Sequence, residues 1–229
     1  MIDKVVVGDL DTNCWIIRAP GTNEAALIDP GAEPDRILQA VDGLDIRAIV
    51  LTHAHYDHVL AIPILTHQLK APVLAHPAEK EVWQHELAHL EEHGHFDAGT
   101  ATEDLLAVGR PPRATGQLWD GTVDRPLQDA DTIAIGELEI TVKHTPGHSP
   151  GSICLAIEGH LFTGDTLFPG GPGLTGAQWP LTSFEAIMRS IRGLLADTPD
   201  ETQIHPGHGR DTTVGAERPH LREWATRGW

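Results

Sequence analysis

Residues able to do chemistry concentrate in four short stretches. The densest is His53-Ala54-His55-Tyr56-Asp57-His58, directly after the apolar run Ala48-Ile49-Val50-Leu51-Thr52. It sets three imidazoles and a carboxylate within six residues at the end of a predicted buried strand. Imidazole and carboxylate suit zinc, iron or manganese, and a cation among such groups relieves the cost of crowding them. The alternative is a polar turn that happens to be His-rich. Three further stretches follow: His144-Thr145-Pro146-Gly147-His148-Ser149-Pro150-Gly151-Ser152, Phe162-Thr163-Gly164-Asp165-Thr166-Leu167-Phe168, and Ile204-His205-Pro206-Gly207-His208-Gly209. A Pro-Gly pair fixes a turn and permits close backbone approach, so the residue after it is held in a defined direction. A loop delivers a single ligand in this way.

Taken in order, Thr52 to His58, then His148, Asp165 and His208, resemble the metallo-β-lactamase superfamily of hydrolases, in its glyoxalase II-like form. The resemblance runs from Asn13 to Gly209. It implies that His53, His55 and His148 hold one metal, that Asp57, His58 and His208 hold a second, and that Asp165 bridges both. It implies two zinc ions, with iron or manganese as alternatives, because every donor is oxygen or nitrogen. The expected chemistry is attack by a metal-bridging hydroxide on a substrate carbonyl, with Asp57 orienting the water and Asp165 at the catalytic centre. Such a reaction needs no serine nucleophile. Thr52, Thr145 and Thr166 flank ligand positions and are candidates to hydrogen-bond them, or plain turn residues. His144 and His205 are not expected to be ligands.

The glyoxalase II-like form rests on Thr163 to Phe168 followed by Gly170-Gly171-Pro172-Gly173. Enzymes of that kind hydrolyse thioesters such as S-lactoylglutathione. Two departures point away from glutathione. Leu174 occupies the position where the family carries a basic residue, and the C-terminal helical domain that grips glutathione is expected to be absent. Trp179 and Phe168 are candidate pocket residues. The rivals are a β-lactamase, an acyl-homoserine lactonase sharing all seven ligands, and a persulfide dioxygenase with one iron at positions like His53, His148 and Asp165. A metal-binding module without turnover is the rival from another class.

His85-Glu86-Leu87-Ala88-His89 matches the zincin pattern of two histidines four apart with a glutamate between them. The residues that follow do not continue that signature. The alternatives are an exposed helix face carrying polar residues, or adventitious metal at His85, His89 or His93.

The elements that must position these motifs read as follows. Val5–Val7, Cys14–Arg18, Ala25–Asp29, Ile46–Thr52 and Pro72–Ala75 are strands, and Asp29-Pro30-Gly31 is a turn. Glu33–Val41 and Asp57–Leu69 read as helices, and Ala78–Gly94 as a third. In the second half Thr132–Ile135, Leu138–Lys143, Ser152–Ile157, His160–Thr163 and Gln203–His205 are strands. Ser183–Ala196 is an amphipathic helix with a serine start, and Val214–Trp229 reads as one helix. These elements support an α/β or α+β protein. The resemblance implies the α+β, four-layer αβ/βα sandwich, in one domain over residues 1–229. Residues 77–128 form a helical and irregular excursion and a candidate lid over the site.

Composition limits the partners. Lys plus Arg number 16 against 33 Asp plus Glu, a net charge of −17, which repels phosphate backbones and argues against nucleic acid. The expected partner is a small-molecule substrate. No run approaches the ~20 apolar residues of a membrane span. The two cysteines, Cys14 and Cys154, lie in strands and suggest no disulfide framework. With no signal-peptide layout at Met1–Val5, a cytoplasmic protein is expected.

Overall fold

The computed structural model describes residues 1–96, 118–176 and 179–228. Strands β1 (Ile2–Val7), β2 (Thr12–Arg18), β3 (Glu24–Ile28), β4 (Asp45–Val50), β5 (Val73–Ala75) and β6 (Arg125–Pro126) form one sheet in that order. It is antiparallel through β3 and parallel from β3 to β6. The second sheet contains β7 (Thr132–Ile135), β8 (Leu138–His144), β9 (Ile153–Ile157) and β10 (His160–Gly164). A two-stranded ribbon, β11 (Leu167–Phe168) with β12 (Gly171–Pro172), branches off before β13 (Gln203–Pro206) and β14 (Thr212–Thr213) complete that sheet. Its order is β14-β13-β10-β9-β8-β7.

The alternation of side chains along each strand sorts the core into three layers. Cys14 and Ile16 of β2, Ala25 and Leu27 of β3, and Ile49 of β4 face outward. They pack against α1 (Pro34–Ala40), α3 (Ile62–Leu69) and α4 (Glu79–His93) through Ile37, Leu65, Val82 and Trp83. Their neighbours Trp15, Ile17, Ala26, Ile28, Ala48 and Val50 face the other way and meet Ile140, Val142, Ile153, Leu155 and Phe162 of the second sheet. Cys154, Leu161 and Ile204 pack outward on α5 (Phe184–Ala196) and α7 (Leu221–Arg227). A strand buried on both faces reads as a continuous apolar run, as residues 48–50 at the end of β4 do, whereas Asp45 and Arg47 at its start are exposed. The result is the expected four-layer αβ/βα sandwich.

Two helices are shorter than the sequence pattern suggests. The helix expected over Asp57–Leu69 is two, α2 (Tyr56–Val59) and α3, divided at Leu60-Ala61. Pro63 has no N–H to continue the ladder, and the Ala61 N–H instead donates to the Pro30 carbonyl at 3.1 Å. The tail expected as one helix is α6 (Val214–Glu217), a 3-10 turn (Arg218–His220) and α7, interrupted where Pro219 intervenes. Ser183 caps α5 as expected, its Oγ accepting from the Ala186 N–H at 3.2 Å.

In the 77–128 excursion the helix is α4 and the end is the edge strand β6. The candidate lid falls largely on 97–117 and lies outside the described residues. Among the described residues no helix is long and apolar enough to cross a membrane.

Candidate metal centre

The four motifs converge because each follows the C-terminal end of a strand. His53 to His58 follow β4, His148 lies in the loop after β8, Asp165 follows β10, and His208 follows β13. Three groups of donors result whose ligand atoms all lie within 4.8 Å of one another: His53, His55 and His148; Asp57, His58 and His208; and Asp29, His53 and His58. Asp165 lies between the first two. Its carboxylate is 3.7 Å from His148 Nε2, 3.6 Å from His58 Nε2 and 3.5 Å from His208 Nε2. All seven residues singled out in the sequence are thus brought together.

Three of these histidines have the outer nitrogen in a hydrogen bond, and a fourth, His58, sets it against a carboxylate. Thr52 Oγ1 is 3.1 Å from His53 Nδ1, and Asp29 Oδ2 is 3.1 Å from His58 Nδ1. His148 Nδ1 contacts the Leu174 carbonyl, and His208 Nδ1 the Leu10 carbonyl, each at 2.9 Å. The Nε2 atoms of His58, His148 and His208 therefore face the carboxylates of the centre. This division of labour is what a metal-bound imidazole requires, since the outer hydrogen bond sets both tautomer and orientation.

The donor set fits a cation. His53 Nε2, both ring nitrogens of His58 and Asp165 Oδ1 are buried and make no hydrogen bond. Donors about 2.1 Å from a tetrahedral ion sit about 3.4 Å apart. His58 and His208 Nε2 lie 3.2 and 3.3 Å from Asp57 Oδ2, and the Asp165 separations are similar.

The two main groups differ in charge. Burial drives His53, His55 and His148 toward the neutral form, and for His53 and His55 the neighbouring imidazoles add to it; His55 is pushed down to about 3. Burial acts the same way on His58 and His208, but the carboxylates of Asp57 and Asp165 outweigh it. His58 is pushed up to about 10 and His208 to about 12. Burial alone would raise Asp57 and Asp165, yet the adjacent imidazoles hold both below the usual carboxylate range.

Several supporting residues carry no sequence signal. Asp29, read only as part of a turn, has φ 51° and accepts from the Thr52 N–H at 2.7 Å and Thr52 Oγ1 at 2.6 Å, besides meeting His58. Thr12 Oγ1 donates to Asp57 Oδ2 at 2.8 Å. Gly207 lets the backbone pass close to the centre, for a Cβ there would come within 2.1 Å of Asp165 Oδ1. Of the flanking threonines, Thr52 touches a candidate ligand, whereas Thr145 and Thr166 contact each other at 3.1 Å. His144 stacks on His76, and His205 pairs with Asp211, so neither is among the converging donors. Gly147-His148-Ser149-Pro150-Gly151 does spell Gly-x-Ser-x-Gly, but Ser149 is buried and donates to Glu79. It is not an exposed nucleophile.

A cavity of about 180 Å³ opens beside the centre. Leu10, Tyr56, Leu174, Trp179 and Pro180 give it an apolar side. His85, Glu86 and His89 of α4 form part of its wall, and Glu86 is buried. The zincin-like stretch is therefore neither a simple exposed face nor one of the three donor groups found among the described residues. Phe168 stacks near His208, with ring centroids 6.2 Å apart.

Residues 7–208 match the family model described as the metallo-beta-lactamase superfamily. The chain belongs to that superfamily. Members are mostly enzymes and bind divalent metals. The hydroxyacylglutathione hydrolase GloC of Haemophilus influenzae is 30% identical over 95% of this chain and 94% of its own length. Among solved structures, the BLEG-1 B3 metallo-beta-lactamase superposes with TM-score 0.78 at 27% identity, covering 96% of this chain and 98% of the other. A di-iron-bound form of TTHA1623 superposes with TM-score 0.73 at 32% identity, covering 94% and 96%. This superfamily chain therefore has hydrolase-like relatives along nearly its whole length.

Proposed function

We propose that this protein is a dinuclear-metal hydrolase that cleaves small S-acyl thiols in the glyoxalase II-like manner. The observation that carries this reading is Asp165, whose carboxylate lies between two separate donor groups. His53, His55 and His148 form one ligand set, Asp57, His58 and His208 the other, and Asp165 bridges them. Two dications bound there supply Lewis acidity for a thioester carbonyl and lower the pKa of water to near neutrality. Zinc suits the all-nitrogen and oxygen donors, and the di-iron relative supports iron as the alternative. Asp57 Oδ2, fixed by Thr12, holds a proton acceptor beside His58 and His208. Leu10, Tyr56, Leu174 and Trp179 give the cavity an apolar side suited to a short acyl chain.

The likeness to GloC supports the thioester. The apolar Leu174 in the cavity wall argues for a thiol carrier less anionic than glutathione. The net charge of −17 supports a small substrate over nucleic acid, and two buried free thiols agree with a cytoplasmic protein. The test is elemental analysis of protein purified without added metal, followed by thiol release from S-lactoylglutathione and from short-chain acyl thioesters of smaller thiols. Two ions per chain with faster turnover of the smaller thioesters is expected. One iron per chain with oxygen-dependent persulfide turnover, or turnover of lactams or lactones alone, overturns it.

A further inference from the structure

The structure assigns a positioning role to Glu79: its carboxylate ties together the two loops that carry the first ligand set. This inference rests on the two-cation reading above. Glu79 is the first residue of α4 and is fully buried. Its Oε2 accepts from the Ala54 N–H at 2.6 Å, between His53 and His55. Its Oε1 accepts from Ser149 Oγ at 2.6 Å and from the Gly151 N–H at 2.8 Å, just past His148. One carboxylate therefore spans the His53-His55 turn and the His148 loop, with His55 and His148 93 residues apart in sequence.

The surroundings leave little play in that span. A Cβ at Gly151 would lie 2.7 Å from Glu79 Oε1 and 2.8 Å from His76 Nδ1, so only glycine allows the loop to approach. The other end of the loop is held by His144, which stacks on His76 with ring centroids 4.2 Å apart and contacts the Pro150 carbonyl at 3.0 Å. His76 itself accepts from the Ala78 N–H at 3.2 Å, at the entry to α4. Among the described residues nothing comparable links Glu79 to His58 or His208. The second set is supported instead by Asp29, Thr12 and the Leu10 carbonyl. Glu79 thus governs the spacing of His53, His55 and His148 and leaves the other set alone.

The test uses the full chain and zinc, with chelator competition as the readout. In a His208→Ala background the first set remains, and adding Glu79→Gln is expected to weaken zinc binding by about 10–100-fold, the usual cost of losing a residue that orients ligands. In a His148→Ala background the second set remains, and the same substitution is expected to change affinity less than about threefold. Glu79→Asp keeps the charge and is expected to restore part of the loss. Glu217→Gln removes a similarly buried carboxylate elsewhere, so a loss of zinc there as well would mark a general folding effect. Equal weakening in both backgrounds, or none in either, overturns the role of Glu79. If the wild-type chain binds only one zinc, the two-cation reading fails, and Glu79 is judged on whether that ion weakens with Glu79→Gln.

Discussion

The two proposed ligand sets sit side by side yet are prepared for a cation in opposite ways. His53, His55 and His148 have no carboxylate of their own and are kept neutral by burial. Asp57, His58 and His208 form a charge-paired network in which carboxylates hold two imidazoles protonated. The first set is a receptor ready to donate lone pairs. The second is charge-balanced only with the Asp165 carboxylate beside it, and a cation entering it must displace protons. Neighbouring sites built from the same two side-chain types can therefore differ in metal affinity and in its pH dependence.

The largest effect falls on the residue common to both sets. Asp165→Ala is expected to lower metal content below two ions per chain and reduce thioester hydrolysis to background, measured by elemental analysis and thiol release. Retention of both ions with a rate within about tenfold of wild type would remove the bridge from the comparison, since even one lost transition-state donor costs more than that.

Proton release sharpens the contrast. At pH 8 the metal-free imidazoles of His58 and His208, raised to about 10 and about 12, carry their protons, and both must lose them to bind a cation. Zinc entering the second set is expected to release about two protons, and its affinity to fall about 100-fold per unit as pH drops from 8 to 7. The first set, already neutral, is expected to release about none. Calorimetry of the His148→Ala and His208→Ala chains in two buffers of different ionisation enthalpy measures both. Equal release from the two sets would erase the distinction.

A smaller effect tests the support around Asp57. Thr12→Val removes the hydroxyl donor to Asp57 Oδ2. Zinc affinity of the second set is expected to fall by about tenfold while the first is unchanged, as is usual for a lost hydrogen bond to a ligand. Chelator competition on the same two backgrounds reads this directly, and an equal drop in both would assign Thr12 to the fold.

Much of the centre was legible from local pattern. His53 to His58 are adjacent in the chain, and their clustering after an apolar strand needs no tertiary information. The Pro-Gly turns before His148 and His208 announce residues held in one direction. The boundaries of Asp57–Leu69 and of the tail were misread because helical periodicity continues through Pro63 and Pro219, whereas the hydrogen-bond ladder does not. The stretch His85 to His89 matches a metal-binding motif yet is not one of the donor groups among the described residues, and its place in the cavity wall depends on how α4 packs.

By itself, then, the sequence determined the donor types, their order along the chain and the strands that carry them, because short-range backbone geometry and side-chain chemistry are written residue by residue. The tertiary structure alone decided what holds those donors in place. Asp29, Glu79 and the carbonyls of Leu10 and Leu174 act across separations from 23 residues, for Asp29 and Thr52, to 198, for Leu10 and His208. An ordinary carboxylate or a backbone carbonyl carries no mark of such a role. It acquires one only when the packing of two sheets brings it within hydrogen-bond distance of an imidazole or a ligand loop.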